Sequence, residues 1–216
     1  MELNKYIDHT NLKAYTTKEE IKKLCDEAIK YHFASVCVNP CYVELAKNLL
    51  KNSNVEICTV IGFPLGANNV RVKEYEAIVA IEDGADEIDM VINIGALKDQ
   101  DYDYIKEEIT SIRDAIEGRV LKVIIETCYL TDDEIIKMTE ICNETFVNYI
   151  KTSTGFGIRG ASIHDLELIN EHKSELLEIK ASGGIKDLKT ANQFITKGAT
   201  RLGTSSSVKI MKEDEK

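Results

Sequence analysis

Short apolar runs rich in β-branched residues recur along the chain and alternate with longer amphipathic segments. The runs fall at residues 34–38, 55–61, 88–94, 120–125, 147–150 and 200–202, with two weaker ones at Tyr6 to Asp8 and Leu177 to Lys180. Runs of this length and composition are typical of buried strands. The pattern therefore predicts about eight strands.

The segments between the runs have the apolar spacing of helices that bury one face. Thr17 and Glu20 form a capping box at the start of the clearest segment, residues 17–30. Thr131 and Glu134 repeat this box later in the chain. Glycines stand where three helices are expected to end, at Gly84, Gly118 and Gly198.

Strict alternation of strands and helices predicts parallel pairing, because each crossover helix returns the chain to the same end of the sheet. About eight such units in 216 residues favour an α/β fold, a single-domain TIM (β/α)8 barrel over residues 1–216. The alternative is a doubly wound open sheet, but neither GxGxxG nor GxxxxGK[ST] follows the first strand.

The charge of the chain limits its partners. A formal net charge of −10 repels phosphate backbones and anionic lipid, so we expect neither nucleic-acid nor membrane binding. The first ten residues lack the features of a secretory signal, and no apolar run approaches the roughly 18 residues of a membrane span. We therefore expect a cytoplasmic protein, in which an anionic substrate needs a local cradle.

Cysteine and histidine usage gives no metal-binding pattern. Cys37 and Cys41 are the closest pair among six cysteines, no CxxC is present, and the four histidines form no HExxH. In a reducing compartment these thiols are expected to stay free. We predict no metal and no cofactor.

Polar residues that close apolar strands mark the candidate chemistry, since barrel enzymes act at the carboxyl ends of their strands. Lys151 and Lys180 each end a predicted strand and are followed by small residues. Asp89 lies on the face of its strand opposite Ile88 and Met90, which predicts that it points into the barrel. A buried carboxylate needs a cation, and the two lysines are the expected partners.

Two lysines near each other suit an amine nucleophile. A lysine with a pKa near 10.4 is almost wholly protonated at neutral pH and cannot attack a carbonyl. A neighbouring ammonium and partial burial lower that pKa, so one amine becomes nucleophilic while the other stays charged. We interpret Lys122 and Lys186, in contrast, as ordinary exposed lysines.

Glycines and hydroxyl residues follow the last predicted strands, where barrels commonly bind phosphate. Backbone N–H groups and hydroxyls in such loops bind anions, although the same residues are also ordinary turns and caps. The predicted substrate and phosphate contacts are Thr152, Gly155, Gly183, Gly184, Gly203, Thr204, Ser205 and Ser206.

At these positions the chain resembles the deoxyribose-phosphate aldolases along nearly its whole length. The matching stretches are IDHTNLK, SVCVNP, VIGFPLG, EIDMVINIGAL, KVIIET, IKTSTGFG, IKASGGI and RLGTSSS. The resemblance implies a TIM barrel and a metal-independent class I aldolase of deoxyribose catabolism. Such an enzyme reversibly cleaves 2-deoxyribose 5-phosphate to glyceraldehyde 3-phosphate and acetaldehyde, and a homo-oligomer, a dimer or tetramer, is expected.

The resemblance also implies roles for residues. Lys151 is then the imine-forming nucleophile, Lys180 the lysine that perturbs it and shuttles protons, and Asp89 the proton donor and acceptor. Asp8 is interpreted as structural support and Cys37 as a core residue. Two other functions stay open, a different imine-forming sugar-phosphate aldolase of the transaldolase kind and a catalytically silent sugar-phosphate sensor.

Two positions depart from the family pattern. Some members use a tyrosine at the extreme C-terminus for proton transfer, whereas this chain ends IMKEDEK and its last tyrosine is Tyr149. Water then takes that proton step, or turnover is slower. Arg159 stands where a glycine is usual, and it is interpreted as a surface charge rather than a phosphate contact.

Overall fold

Eight parallel strands close into a barrel in the computed structural model, which describes residues 2–215. The strands are β1 (Ile7–Asn11), β2 (Ser35–Val38), β3 (Glu56–Ile61), β4 (Glu87–Val91), β5 (Val120–Ile124), β6 (Tyr149–Lys151), β7 (Glu178–Ser182) and β8 (Arg201–Thr204). Each strand pairs with the next, and β8 pairs with β1. The barrel and its eight predicted strands are confirmed. Met1 and Lys216, the ends of the predicted single domain, lie outside the described residues.

Helices connect consecutive strands and surround the barrel. They are α1 (Lys18–Tyr31), α2 (Val43–Leu50), α3 (Val70–Asp83), α4 (Ile94–Lys98), α5 (Tyr102–Ala115), α6 (Asp132–Glu144), α7 (Ile163–His172), α8 (Leu188–Thr196) and α9 (Ser207–Asp214). Short 3-10 turns occupy Leu3–Tyr6, Pro40–Tyr42 and Thr127–Tyr129. In residues 2–215 no helix has the length and apolar character needed to cross a bilayer.

The helix-start signals act as predicted. Thr17 caps α1 and Thr131 caps α6, each in a reciprocal capping box with the glutamate three residues later. Gly84 ends α3 in the left-handed conformation, as predicted. The prediction for Gly118 is off by two residues, because α5 ends at Ala115 and its last turn is closed by the N–H of Ile116.

Alternation along the strands separates the core from the barrel interior. In β4, Ile88 and Met90 belong to the apolar core, whereas Glu87 and Asp89 pair with charged side chains of other strands. Each apolar side chain buried this way contributes about 1.5–3 kcal/mol to folding. The apolar layer between strands and helices therefore fixes the strands, and the strands position the charged groups inside.

Candidate active site

A network of charged side chains fills the barrel interior, from Glu87 and Arg201 at the amino ends of β4 and β8 to Lys151 at the carboxyl end of β6. Among residues 2–215 it contains three acidic and four basic groups, Asp8, Glu87, Asp89, Lys122, Lys151, Lys180 and Arg201, linked by salt bridges. Their contacts join strands that are not neighbours, such as β4 and β7, and such contacts are possible only across the barrel interior.

Asp89 is the centre of this network. One of its oxygens, Oδ2, accepts hydrogen bonds from Lys151 Nζ at 2.8 Å and from Lys180 Nζ at 2.6 Å. The other, Oδ1, accepts from Lys122 Nζ at 2.8 Å and from the Cys58 thiol at 3.1 Å. The structure thus brings together the three predicted catalytic residues, Asp89, Lys151 and Lys180, and places both lysine nitrogens on one oxygen.

A second set of contacts links Lys180 to side chains nearer the amino ends of β1 and β8. Lys180 Nζ lies 2.5 Å from Asp8 Oδ2, and Asp8 Oδ1 lies 2.6 Å from Arg201 Nη1. Arg201 also contacts Glu87 at 3.1 Å. Asp8, which the sequence interprets as structural support, is therefore in direct contact with a predicted catalytic lysine.

These contacts fix the charges of the acid and of one lysine. Burial raises the pKa of Asp89, but Lys122, Lys151 and Lys180 outweigh burial and hold that pKa well below its usual range. Burial also lowers the pKa of Lys180, yet Asp8 and Asp89 outweigh it and raise that pKa above its ordinary value. Asp89 is thus a carboxylate and Lys180 an ammonium at neutral pH.

The interpretation of Lys122 as an exposed lysine is wrong. Its side chain is fully buried, and its Nζ lies 2.8 Å from Asp89 and 2.6 Å from Glu87. Burial opposes its charged form, but Asp89 and other neighbouring acids raise its pKa well above the ordinary value. Lys122 and Asp89 are register partners on β5 and β4, so both side chains point to the same side. This register is not visible in the sequence.

The sum of charges singles out Lys151. With all groups ionised, the network carries four positive and three negative charges, an excess of one in a buried interior. Lys122 and Lys180 each contact two carboxylates, whereas Lys151 contacts only the shared oxygen of Asp89. Lys151 therefore has the fewest carboxylate partners of the three lysines, in a buried network that carries one positive charge in excess.

Lys151 lines a cavity of about 270 Å³ at the carboxyl ends of the strands. Seven of the eight predicted phosphate and substrate contacts line it, namely Gly155, Gly183, Gly184, Gly203, Thr204, Ser205 and Ser206. Thr152 does not. It is buried, and its hydroxyl oxygen accepts from the Ser182 N–H at 3.2 Å, so it holds β6 to β7 instead.

Several cavity residues escape the sequence analysis. Residues 10–13, at the end of β1, line the cavity, and so does Lys186, which the sequence correctly interprets as exposed but not as part of the site. Lys13 and Lys186 add positive charge to the lining of the cavity. The IDHTNLK stretch was a signal for the first set, since polar residues there also follow a strand.

Arg159 is an exposed charge, as the sequence interprets it, but it is paired with a buried acid. Its guanidinium makes a forked contact with the buried Asp165, at 2.6 Å and 3.0 Å. Its other hydrogen bonds go to the carbonyl oxygens of Thr127 and Gly160 and to the Thr127 hydroxyl. Arg159 does not line the cavity. It connects the loop after β5, at Thr127, to the loop after β6, at Gly160.

Two groups of side chains near the network have atoms close enough to share a metal ion, Cys37 with Cys58 and Asp89, and Asp8 with Cys58 and Glu87. Both include carboxylates whose oxygens already contact ammonium or guanidinium groups. A divalent cation there meets strong repulsion from those positive groups. Cys37 itself is a buried core residue, as the sequence indicates.

The chain is similar to known proteins over its whole length. The model of the DeoC/LacD family aldolases matches residues 3–211. A deoxyribose-phosphate aldolase of Finegoldia magna is 56% identical over 211 residues, covering 98% of this chain and 99% of that protein. One of Clostridium tetani is 52% identical over 216 residues, which cover both chains fully.

A solved structure shows the same fold. The deoxyribose phosphate aldolase of Aeropyrum pernix, described as tetrameric, superimposes with a TM-score of 0.92 at 30% identity. The match covers 99% of this chain and 91% of that one.

Proposed function

The chain belongs to the DeoC/LacD aldolase family, and from this premise we propose that it cleaves 2-deoxyribose 5-phosphate reversibly to glyceraldehyde 3-phosphate and acetaldehyde. One observation carries the assignment to this site. Two lysines share a single carboxylate oxygen of Asp89, and one of them, Lys151, opens into a cavity lined by glycines and hydroxyl groups. This arrangement suits an amine nucleophile next to a phosphate cradle.

The reaction begins at Lys151. Its neutral amine adds to the aldehyde carbon of the open-chain sugar, and loss of water gives an iminium. The iminium withdraws electrons from the bond between C2 and C3. Lys180, held positive by Asp8 and Asp89, stays in place beside the imine nitrogen.

Bond cleavage then needs a proton acceptor for the C3 hydroxyl. Asp89, with Lys180 and through water, takes up this proton while the C2–C3 bond breaks. Glyceraldehyde 3-phosphate leaves, and C1 and C2 remain on Lys151 as an enamine. Protonation of C2 and hydrolysis of the imine release acetaldehyde and restore the Lys151 amine.

The phosphate group has a cradle at the far end of the cavity. The loops after β7 and β8 contribute Gly183, Gly184 and residues 203–206, whose backbone N–H groups and hydroxyls suit an anion. The ammonium groups of Lys13 and Lys186 add positive charge there. This local charge offsets the net charge of −10, which otherwise repels a sugar phosphate.

Borohydride trapping tests the proposal. With 2-deoxyribose 5-phosphate and a chelator present, we expect acetaldehyde release, and reduction by borohydride should leave an adduct on Lys151 in a peptide mass map. Lys151→Met should abolish trapping and lower the rate at least about 1000-fold. Lys189→Met, at an exposed lysine outside the cavity, is the control.

A label on another lysine, or undiminished activity of Lys151→Met, rules out the assignment of the nucleophile. Rates with other sugar phosphates test the transaldolase-like alternative. Binding of the sugar phosphate without any turnover favours the catalytically silent sensor. Activity that disappears with the chelator contradicts the proposed independence from metals and cofactors.

We also propose a cytoplasmic homo-oligomer, a dimer or tetramer. The tetrameric relative of Aeropyrum pernix supports self-association. Helix α3 exposes Val72, Tyr75 and Ile78 in addition to its buried alanines, and such an apolar surface is often covered by a second copy. Light scattering of the purified protein gives the subunit number, and a monomer contradicts this proposal.

A further inference from the structure

The loop between β6 and α7, residues 152–162, connects the nucleophile strand to the phosphate cradle. It begins directly after Lys151, and Gly155 lies on the cavity wall. Further along, Gly160 packs against Gly183, which belongs to the cradle. A Cβ atom built on Gly160 comes within 2.2 Å of the Gly183 carbonyl oxygen, so the two backbones are in direct contact.

Arg159 contacts Gly160 from outside the cavity. Its Nη1 donates to the Gly160 carbonyl at 2.9 Å, and its guanidinium fork is fixed on both oxygens of Asp165. Forked contacts between arginine and carboxylate restrict orientation as well as distance. The next residue, Ala161, donates its N–H to the Ser182 carbonyl at 2.9 Å, and so this end of the loop is bound to the end of β7.

Asp165 is a rigid anchor for this contact. It is buried in the first turn of α7, and its Oδ2 accepts hydrogen bonds from the Thr127 hydroxyl at 2.8 Å and the Ser162 N–H at 3.2 Å. Arg159 Nη2 also donates to the Thr127 carbonyl at 3.2 Å. Arg159 and Asp165 therefore link the loop after β5 to the loop after β6, and Gly160 and Ala161 link the latter to the end of β7 and the loop that follows it.

We propose that Arg159 is a positioning residue for phosphate recognition, which holds Gly160 and through it Gly183 in place for the phosphate group. The inference rests on the proposed function for the identity of the substrate. Arg159 does not line the cavity, so it acts through the loop and not by touching the ligand. The imine chemistry at Lys151 is independent of this contact.

The test compares two substrates that differ only in the phosphate, 2-deoxyribose 5-phosphate and 2-deoxyribose. For Arg159→Ala we expect KM for the phosphorylated sugar, and the inhibition constant of inorganic phosphate, to rise about five- to tenfold. The kcat/KM for 2-deoxyribose should stay within about twofold of wild type. Arg159→Lys, which keeps the charge but loses the fork, should give an intermediate effect.

A second variant separates positioning from direct contact. Asp165→Asn leaves the guanidinium charge in place but weakens its anchor, so we expect the same selective loss as in Arg159→Ala. A loss in Arg159→Ala with wild-type phosphate recognition in Asp165→Asn shows that the arginine touches phosphate directly, and this overturns the proposal. Equal changes for both sugars, or no change, also overturn it.

The control is Arg119→Ala. Arg119 and Asp86 form a pair of partly exposed groups, 3.3 Å apart, next to the amino ends of β5 and β4. Removing it should leave both substrates unaffected. If the wild-type protein cleaves neither sugar, the proposed function fails, whereas calorimetric binding of inorganic phosphate to the wild type and the Arg159 and Asp165 variants still decides the role of Arg159.

Discussion

Lys122 shows how one buried side chain defines the chemistry of its neighbours. It neutralises Asp89 Oδ1 and Glu87, which leaves Asp89 Oδ2 for Lys151 and Lys180. The carboxylate is thus oriented by one lysine and used by two others. Lys122 is on this basis a positioning residue for Asp89.

Replacing Lys122 with methionine tests this role. The change keeps the volume but leaves Glu87 and Asp89 short of one cation. We expect the free energy of unfolding in urea to fall by about 3 kcal/mol, because two buried carboxylates, Glu87 and Asp89, each lose one charged partner. We expect kcat to fall by up to about 100-fold through misplacement of Asp89, with borohydride trapping still on Lys151.

Lys189→Met serves again as the surface control for stability and rate. A Lys122→Met variant with wild-type kcat contradicts the positioning role, even where the protein is destabilised. Loss of trapping at Lys151 contradicts it as well, since it makes Lys122 necessary for the nucleophile itself.

At the scale of elements, local signals could be predicted and distant pairings could not. The capping boxes at Thr17 and Thr131 need only four consecutive residues, and both form as predicted. Lysines on strands are different, because their burial depends on strand register. Lys151 and Lys180 are register partners, and so are Lys122 and Asp89, but only Lys151 and Lys180 each end an apolar run and precede small residues in the sequence.

A buried ion pair between two helices illustrates the same limit. Lys73 of α3 and Glu108 of α5 are fully buried, with Nζ 2.6 Å from Oε1, although they are 35 residues apart. Lys73 also donates to the Val91 carbonyl, and Glu108 accepts from the Asn93 N–H. The pair therefore fixes α3 and α5 against the end of β4, the strand of Asp89.

This pair leads to a prediction about stability. Burial lowers the pKa of Lys73 and raises that of Glu108, so each group carries a desolvation cost that the partner offsets. Glu108→Ala should lower the free energy of unfolding by about 3–5 kcal/mol, because it leaves a buried ammonium without its carboxylate. The double variant Lys73→Met with Glu108→Leu should be much closer to wild type.

Urea unfolding of Lys73→Met, of Glu108→Leu and of the double variant gives the coupling energy between the two side chains. Additive losses contradict the prediction, since they mean that the two groups do not depend on each other. Lys98→Met, which removes the exposed partner of Glu134 but keeps the capping box, is a control and should cost about 1 kcal/mol or less.

For the whole molecule, the charged groups in the barrel interior also connect the first strand to the last. Asp8 of β1 contacts Arg201 of β8 at 2.6 Å, and the same two strands pair through their backbones. The TIM barrel could be predicted from the repeating strands and helices, whereas this closing contact could not, because its residues are 193 positions apart. That the chain forms one domain stays a prediction.

The buried acids predict how stability changes with pH. Both Asp8 and Asp89 have pKa values below the ordinary 3.8, since neighbouring cations outweigh the effect of burial. Above pH 3.8 they are ionised in both folded and unfolded chains, and their stabilising effect is complete. Below pH 3.8 the unfolded chain binds protons that the folded chain does not, so stability is lost as the pH falls further.

His9 and Glu56 have opposite effects on the stability of the folded chain as the pH falls through the intermediate range. Burial lowers the pKa of His9 below 6.5, which destabilises the folded chain as the pH falls below that value. Burial and Asp86 raise the pKa of Glu56 from 4.5 to about 7, which stabilises the folded chain over nearly the same interval. Glu56 is largely exposed, so its contribution is reduced by solvent.

We therefore expect the melting temperature to change little from about pH 5 to 10 and to fall steeply below about pH 3.8. The alkaline limit follows from Lys180, whose pKa lies above 10.5, so its stabilising effect is present below 10.5 and lost as the pH rises through its folded-state value. Scanning calorimetry across this range measures the curve. His9→Asn should remove the destabilising effect of His9 at low pH, and it should therefore raise stability near pH 5 relative to pH 8. A steep loss already between pH 5 and 6 in the wild type contradicts the assignment of the acid limb to Asp8 and Asp89.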